Sequence, residues 1–399
     1  MCYYGVTKMD EENLKCFRCG SQKIIKRGKV FNAKKTTWKQ QYACKNCNFK
    51  FLTKQEHLAD NYEPPKFVYQ EQPLPVIDWS AYNSAQLNEK QLFLQLLSNI
   101  LDQFEFEPLQ KTGRPTTNIR DMLYCMVMKA YIKNSSRRTV SDIKILKELN
   151  CVESIPAYTT LMKYYNDSRL TDILKKIIEM SGLPLKIVED GAAIDSSGFS
   201  TSVFGRWFDH KWGEEKEKRQ FIKCHLTVLP KSNIVSAIDI TPQDGIGSAD
   251  INHYLPLLRK TAINFRIKEV YADKAYLSRQ NIEETAKLGA IPYIPFKSNT
   301  TGGNNGLVWR KMCLFFDERR QEYLQRYHQR SNVETTFSMI KRKFGQNLLT
   351  KNYTANANEI LCKIICHNLC CLISAYYELN VKEALWTEAY ENQKITIKA

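Results

Sequence analysis

Cys16-Phe-Arg-Cys19 and Cys44-Lys-Asn-Cys47 are two CxxC pairs separated by the 24 residues from Gly20 to Ala43. Zn²⁺ accepts four thiolates in a tetrahedron, and each pair can supply two of them from one tight knuckle. A redox dithiol is the alternative, although that chemistry needs only one pair. A second set of reactive residues lies far downstream, in Tyr327 to Lys341, YHQRSNVETTFSMIK. On a helix at about 100° per residue, Tyr327, Arg330, Glu334 and Lys341 fall within an arc of roughly 60°. Val333, Phe337, Ile340 and Phe344 form an apolar stripe about 80° away, the face a helix needs to dock on a core. An acid is thus presented between cations on the flank of a docked helix. Taken alone this is a surface ion pair, but two upstream acids join it. Asp195 ends the apolar run GAAID before SSGFS, and Asp273 ends EVYAD before KAYLS. Each is expected where a strand runs into a turn, a place that also suits Asp for its own side-chain hydrogen bonding. Two such acids followed by a helix-borne one make a three-carboxylate constellation.

The elements that must position these acids follow from periodicity. From Asp190 onward GAAIDSSGFS, QFIKCHLTVLP and NIVSAIDITP read as three successive strands, the last two joined by a tight turn at Pro230 to Asn233. DINHYLPLLRKTAIN is a helix, KEVYAD a strand, SRQNIEETAKLG a helix ended by Gly289, and AIPYIPF a fifth strand whose prolines suit a sheet edge. Between the first two strands, FGRWFDHKWGEEKEKR is either a solvated hairpin or a loop that contacts DNA or a second subunit. The final helix, NEILCKIICHNLCCLISAYY, spaces Cys362, Cys366 and Cys370 four apart. Small apolar thiols on a buried helix explain them better than a metal cluster does.

Ahead of the acids lie two further regions. KIIKRGKVF and TWKQQYAC, between the CxxC pairs, read as two strands of a ribbon hairpin. Lys26, Arg27, Lys34 and Lys35 give that ribbon a phosphate-facing character or form a solvated basic loop. A proline-rich linker over residues 60–80 precedes a helical stretch over 81–185. There SDIKILKELN and a helix beginning near Tyr158 fit a helix-turn-helix or an ordinary bundle equally well. Lys111, Gly113 and Arg114 form a turn or a minor-groove hook.

The spacing of Tyr327, Arg330, Glu334 and Lys341 resembles the signature of the DDE transposases of bacterial and archaeal insertion sequences. DSSGF and ADKAY resemble that family's first and second Asp blocks, although the family often has Gly where Ala275 stands. The basic ribbon is similar to the zinc ribbons at the N-terminus of many insertion-sequence proteins. This resemblance implies an RNase H-like α/β domain over 186–399, behind a zinc ribbon over 1–59 and the helical region. The 60 residues between Asp273 and Glu334 leave no room for the large β insertion of some relatives. It further implies that Asp195, Asp273 and Glu334 hold two Mg²⁺ or Mn²⁺ ions, which suit oxygen ligands, for hydrolysis and strand transfer at DNA phosphodiesters. Arg330, Lys341 and Tyr327 would then contact the cleaved strand. The expected function is excision and insertion of an element whose terminal repeats the ribbon and helical region recognise. A domesticated nuclease and a non-catalytic zinc-ribbon regulator are the alternatives.

Composition agrees with such a partner. The 399 residues carry 58 Lys and Arg against 42 Asp and Glu, and residues 1–60 hold half of the +16 excess. That density favours double-stranded DNA. With 43 % hydrophobic residues the chain can bury more than one core. Thirteen cysteines without an apolar leader argue for thiols and metal ligation in a soluble, cytoplasmic, nucleoid-associated protein with no membrane partner. The resemblance implies a homodimer or larger assembly.

Overall fold

In the computed structural model the described residues are 5–6, 16, 18–32, 37–53, 78–107, 117–201, 221–242, 249–297, 300, 306–381 and 395–397. The chain divides into two compact units, Met1–Pro73 with Val270–Gln329, and Leu74–Glu269 with Arg330–Ala399. The proline linker before Asp78, the Gly113-Arg114 turn, Lys34, Lys35 and the charged loop at 204–219 lie outside the described residues.

In the first unit, strands β1 (Gly5–Val6), β2 (Ile24–Asn32), β3 (Thr37–Cys44) and β4 (Lys50–Thr53) form a sheet in the order β1-β4-β3-β2. The hairpin expected between the CxxC pairs is therefore present. Its small core gathers Cys16, Tyr42, Cys44 and Phe49. Two similar knuckles close it. Gly20 and Asn48 each follow the second cysteine of a pair in the left-handed conformation, at φ 68° and 54°. Each knuckle is tied by short backbone bonds, Gly20 N–H to the Cys16 carbonyl at 2.8 Å and Asn48 N–H to that of Cys44 at 3.0 Å. Glycine and asparagine tolerate that conformation best, which explains why they stand there.

The same unit contains β9 (Glu269–Ala272), α7 (Arg279–Lys287), β10 (Ile291–Tyr293), α8 (Leu307–Glu318) and α9 (Arg320–Tyr327). Gly289, at φ 82°, follows the end of α7 as expected. Tyr323 anchors α9. Its hydroxyl donates to the Ile294 carbonyl at 2.9 Å, and its ring meets Tyr293, Phe315 and Phe316 edge-on.

The second unit begins with helices α1 (Trp79–Asp102), α2 (Ile119–Ile132), α3 (Ser136–Glu148), α4 (Tyr158–Tyr165) and α5 (Arg169–Ser181), with a short β5 (Phe104–Phe106) after α1. Strands β6 (Gly191–Ser200), β7 (Phe221–Leu229) and β8 (Ile234–Pro242) follow as an antiparallel meander, then α6 (Asp250–Asn264). Beyond residue 330 come α10 (Ser331–Phe344), α11 (Tyr353–Glu378) and β11 (Ile395–Ile397), which pairs with β5.

Helix α11 is long and apolar enough to cross a membrane by length and composition, but 78 % of its most apolar window is buried within the protein. It is a core helix. Cys362 and Cys366 are fully buried in it, as small apolar residues are. Asn368 serves as an artificial strand partner, accepting Val235 N–H at 2.9 Å and donating to the Val235 carbonyl at 2.7 Å. That satisfies two backbone groups of β8 in a dry core.

Candidate active site

Residue alternation along β6 separates two sets of side chains. Pairing with β7 runs from Ala193 through Ser200, so the strand continues past Asp195. The turn expected after GAAID is a correction: SSGFS remains in the sheet because Phe199 is fully buried and Gly198 lies against Phe221. Asp195 is consequently a mid-strand residue.

Asp195, Ser197 and Phe199 meet α10. Arg330, immediately ahead of that helix, donates to Asp195 Oδ2 at 2.6 Å and forms a short ion pair with Glu334 one turn later. One guanidinium thus joins the strand acid to the helix acid. Lys341, two turns beyond Glu334, donates to Ser197 Oγ at 2.6 Å and sits over the Phe199 and Phe337 rings. Burial pushes its ammonium pKa down from the ordinary lysine value. These groups border an open cleft of about 590 Å³ that also takes in Ser338, Arg342 and Gln346. Val333, Phe337, Ile340 and Phe344 are buried, so the apolar stripe read from the sequence is the docking face.

The segment after α10 fixes the helix in place. Gly345, at φ 85°, ends it, and Leu348 N–H donates to the Ser200 carbonyl at 2.8 Å. Lys363 of α11 donates to the Gly345 and Asn347 carbonyls at 3.0 and 2.8 Å, while Glu359 accepts Leu349 and Thr350 N–H groups. Lys363 and Glu359 pair at 3.2 Å and are only 3 % and 2 % exposed. A buried charge pair therefore clamps the loop that carries the end of α10.

Tyr327 does not share that helix. It closes α9, and His328–Arg330 tighten into a 3₁₀ turn before α10 begins. The single helix expected over Tyr327 to Lys341 is corrected to two. Tyr323 of α9 and Val333 of α10 are both fully buried, and the 3₁₀ turn changes the phase between them. Asp273 belongs to the first unit. It follows β9, where its carboxylate accepts Lys274 N–H at 2.6 Å and caps a 3₁₀ turn. The strand-end position expected for it is the one it holds.

The opposite face of β6 carries a network that sequence reading missed. Ser196 Oγ donates to Asp250 at 2.7 Å, and Lys223 pairs with the same carboxylate at 2.8 Å. Asp239 accepts from His253 Nδ1 at 2.7 Å, and the His253 and His225 rings stack with centroids 3.9 Å apart. Burial, helped by His253, drives the His225 pKa down to about 4. Burial alone would raise Asp250, but Lys223, Ser196 and His225 hold it below its usual value. The available signal was Lys223 and His225, two apart on one face of β7, which a period-2 count could have found.

In the ribbon, the Cys16 and Cys47 sulfurs are 3.5 Å apart, those of Cys19 and Cys44 are 3.6 Å apart, and all four lie within 4.8 Å of one another. A tetrahedron with Zn–S bonds of about 2.3 Å has edges of about 3.8 Å, so the set fits a structural zinc. Lys26 and Arg27 are exposed beside a bulge in β2.

Residues 187–369 match a family model described as the transposase DDE domain. This stretch is a transposase DDE domain. Asp195, Asp273, Arg330, Glu334 and Lys341 all fall inside the DDE domain, while the ribbon and α1–α5 precede it. The chain has no match among curated proteins or solved structures.

Proposed function

We propose that the protein is a DNA transposase that excises and joins an insertion sequence, and that Asp195, Asp273 and Glu334 are its metal-holding acids. The observation that carries this reading is the joining of Asp195 and Glu334 through one guanidinium inside a DDE domain. Carboxylate oxygens are the donors that hard cations take, so the residues fit Mg²⁺ or Mn²⁺. Two such ions supply charge neutralisation at the scissile phosphodiester and an activated water or 3′-OH.

The protein's own groups do the rest. Asp195 is fixed by the sheet, with one oxygen accepting Ser196 N–H at 2.8 Å, while Glu334 is exposed enough to swing. Arg330, paired here with both acids, is the cation placed to bind a phosphate of the cleaved strand if the acids were to take up a divalent ion instead. Lys341, on the same flank, takes a neighbouring phosphate, and Tyr327 stacks or hydrogen-bonds there. The ribbon, through Lys26, Arg27, Lys34 and Lys35, and the helical region read the element ends, in a homodimer or larger assembly acting on DNA in the cytoplasm.

Titration calorimetry with Mn²⁺ tests the metal assignment. Wild type is expected to bind, Glu334→Gln and Asp195→Asn to bind at least tenfold more weakly, since each loses a charged oxygen donor, and Arg330→Gln to bind more tightly. Unchanged Mn²⁺ affinity in both acid variants would contradict it.

A further inference from the structure

On the second unit, away from the carboxylates, α2, α3, α4 and the start of α11 enclose a cleft of about 660 Å³. Lys129, Lys133, Arg137 and Lys351 line it, and no acid does. None of the four has a carboxylate within ion-pair distance among the described residues. Chance surface charge on a protein with 42 acids would mix the signs.

Lys129 is the telling residue. It lies in the last turn of buried helix α2 and is 4 % exposed, yet its ammonium makes no hydrogen bond among the described residues. Its one close contact is the Tyr165 ring, 4.9 Å from the nitrogen to the centroid. A cation–π contact stabilises by about 0.5–2 kcal/mol, and the ammonium at the end of the buried stem faces the cleft. Its three donors are therefore presented to whatever enters the cleft, and an anion is the occupant they suit.

Backbone geometry points the same way. Lys133, in the left-handed conformation at φ 59°, ends α2, and two residues later Ser135 caps α3, so the N-terminus of α3 opens on the cleft beside Arg137. The N-terminus of α11 opens there too. Its cap residue, Asn352, makes no side-chain cap bond and donates instead to Asn166 Oδ1 at 3.1 Å. Two helix N-termini facing one cavity favour negative charge within it.

We infer that this cleft is a second anion site, which seats one backbone phosphodiester of duplex DNA against Lys129, Arg137, Lys351 and the α3 and α11 N-termini. The inference rests on the transposase reading for the identity of the polyanion. Leu349 to Lys351, which form one wall, continue the loop whose Asn347 and Leu348 meet the end of β6. A phosphate held here fixes the DNA relative to Asp195 through this loop and the end of β6.

The test is duplex binding by the full chain, followed by fluorescence anisotropy across a salt series. Lys129→Met, nearly isosteric and uncharged, and the exposed-site variants Arg137→Gln and Lys351→Gln are compared with Lys144→Gln, an exposed α3 residue outside the cleft. Each cleft variant is expected to weaken binding about tenfold at fixed salt and to make the slope of log K against log salt shallower by about 0.9, the share of one phosphate. Lys144→Gln should match wild type. Cleft variants that match wild type in both quantities overturn the proposal, and Arg137→Gln and Lys351→Gln give that answer even if Lys129→Met does not fold. A wild type that binds no duplex removes the DNA reading instead. Thermal stabilisation by inorganic phosphate that Lys129→Met abolishes, with duplex binding unchanged, would make the cleft a free-anion site and also overturn the proposal.

Discussion

The ribbon and the β6–α10 cleft both gather side chains of the kinds that ligate cations, and they arrange them in opposite ways. In the ribbon, four soft sulfurs converge on one point, and three of the four belong to the small core or pack against it. Nothing in that arrangement leaves a coordination position for a reactant, as in closed structural sites. In the cleft, two carboxylates from different elements face an open cavity, with a protein guanidinium between them. That charge can leave when another cation arrives. The comparison teaches that donor type and enclosure together separate a site suited to a structural metal from one suited to a reacting metal.

Removing zinc should give the largest effect. A knuckle pair without its ion loses a binding free energy of about 10–16 kcal/mol, which for such modules is folding free energy. Chelation, or Cys44→Ser, is therefore expected to abolish protection from hydrogen exchange over β2 to β4 while α10 and β6 remain protected. Protection that persists in the ribbon would remove the contrast.

Next comes the clamp that holds the cleft. Glu359→Gln leaves Lys363 charged and unpaired in a dry core, which costs about 3–5 kcal/mol. Denaturant unfolding of the second unit should shift by that amount, and a shift below about 1 kcal/mol would show that the pair is not what fixes the loop.

Residue for residue, a somewhat smaller effect is expected from acid. His225 and His367 are buried, and burial drives both pKa values down to about 4, from 6.5 in the unfolded chain. Between those values the unfolded state binds more protons, so stability falls as pH drops from 6.5 toward 4, by on the order of 3 kcal/mol for each histidine. Asp250, Asp239, Lys223 and His253 surround His225, and their carboxylates stay ionised across that window. Melting curves at pH 7 and 4.5 check this, and His367→Asn should flatten the dependence by one histidine's share. A chain equally stable at both pH values would contradict the depressed values.

How much of this was legible in the sequence differs between the two regions for a physical reason. The cysteine knuckles and the β2–β3 hairpin were readable because they are local, each knuckle being set by four consecutive residues and one left-handed Gly20 or Asn48, whereas β4 and the parallel β1 were not read. The cleft was readable only in its residue types. Around Asp195 the sequence supported both a strand over GAAIDSSGFS and a turn after GAAID, and pairing with β7 from Ala193 through Ser200 decides for the strand. The break at His328–Arg330 changes the phase between Tyr323 and Val333, both buried, whereas helical phase alone continued the helix. Nothing in the sequence singled out Lys363, because its purpose depends on the Gly345 and Asn347 carbonyls, which arrive from the loop after α10. The apolar stripe of α10 and the boundaries of α6 and α7 were visible because burial there follows a single period.

The most direct measurement is Mg²⁺-dependent cleavage and joining of a labelled duplex that carries the ends flanking the gene, comparing wild type with Asp195→Asn. The account predicts that wild type nicks at the boundary and joins the freed end to a target. The variant should bind the same duplex and lose cleavage by about a thousandfold or more, the several kcal/mol that metal-held charge contributes at a phosphodiester. Cleavage by the variant at the wild-type rate would contradict the claim that the acid on β6 holds the reacting metal.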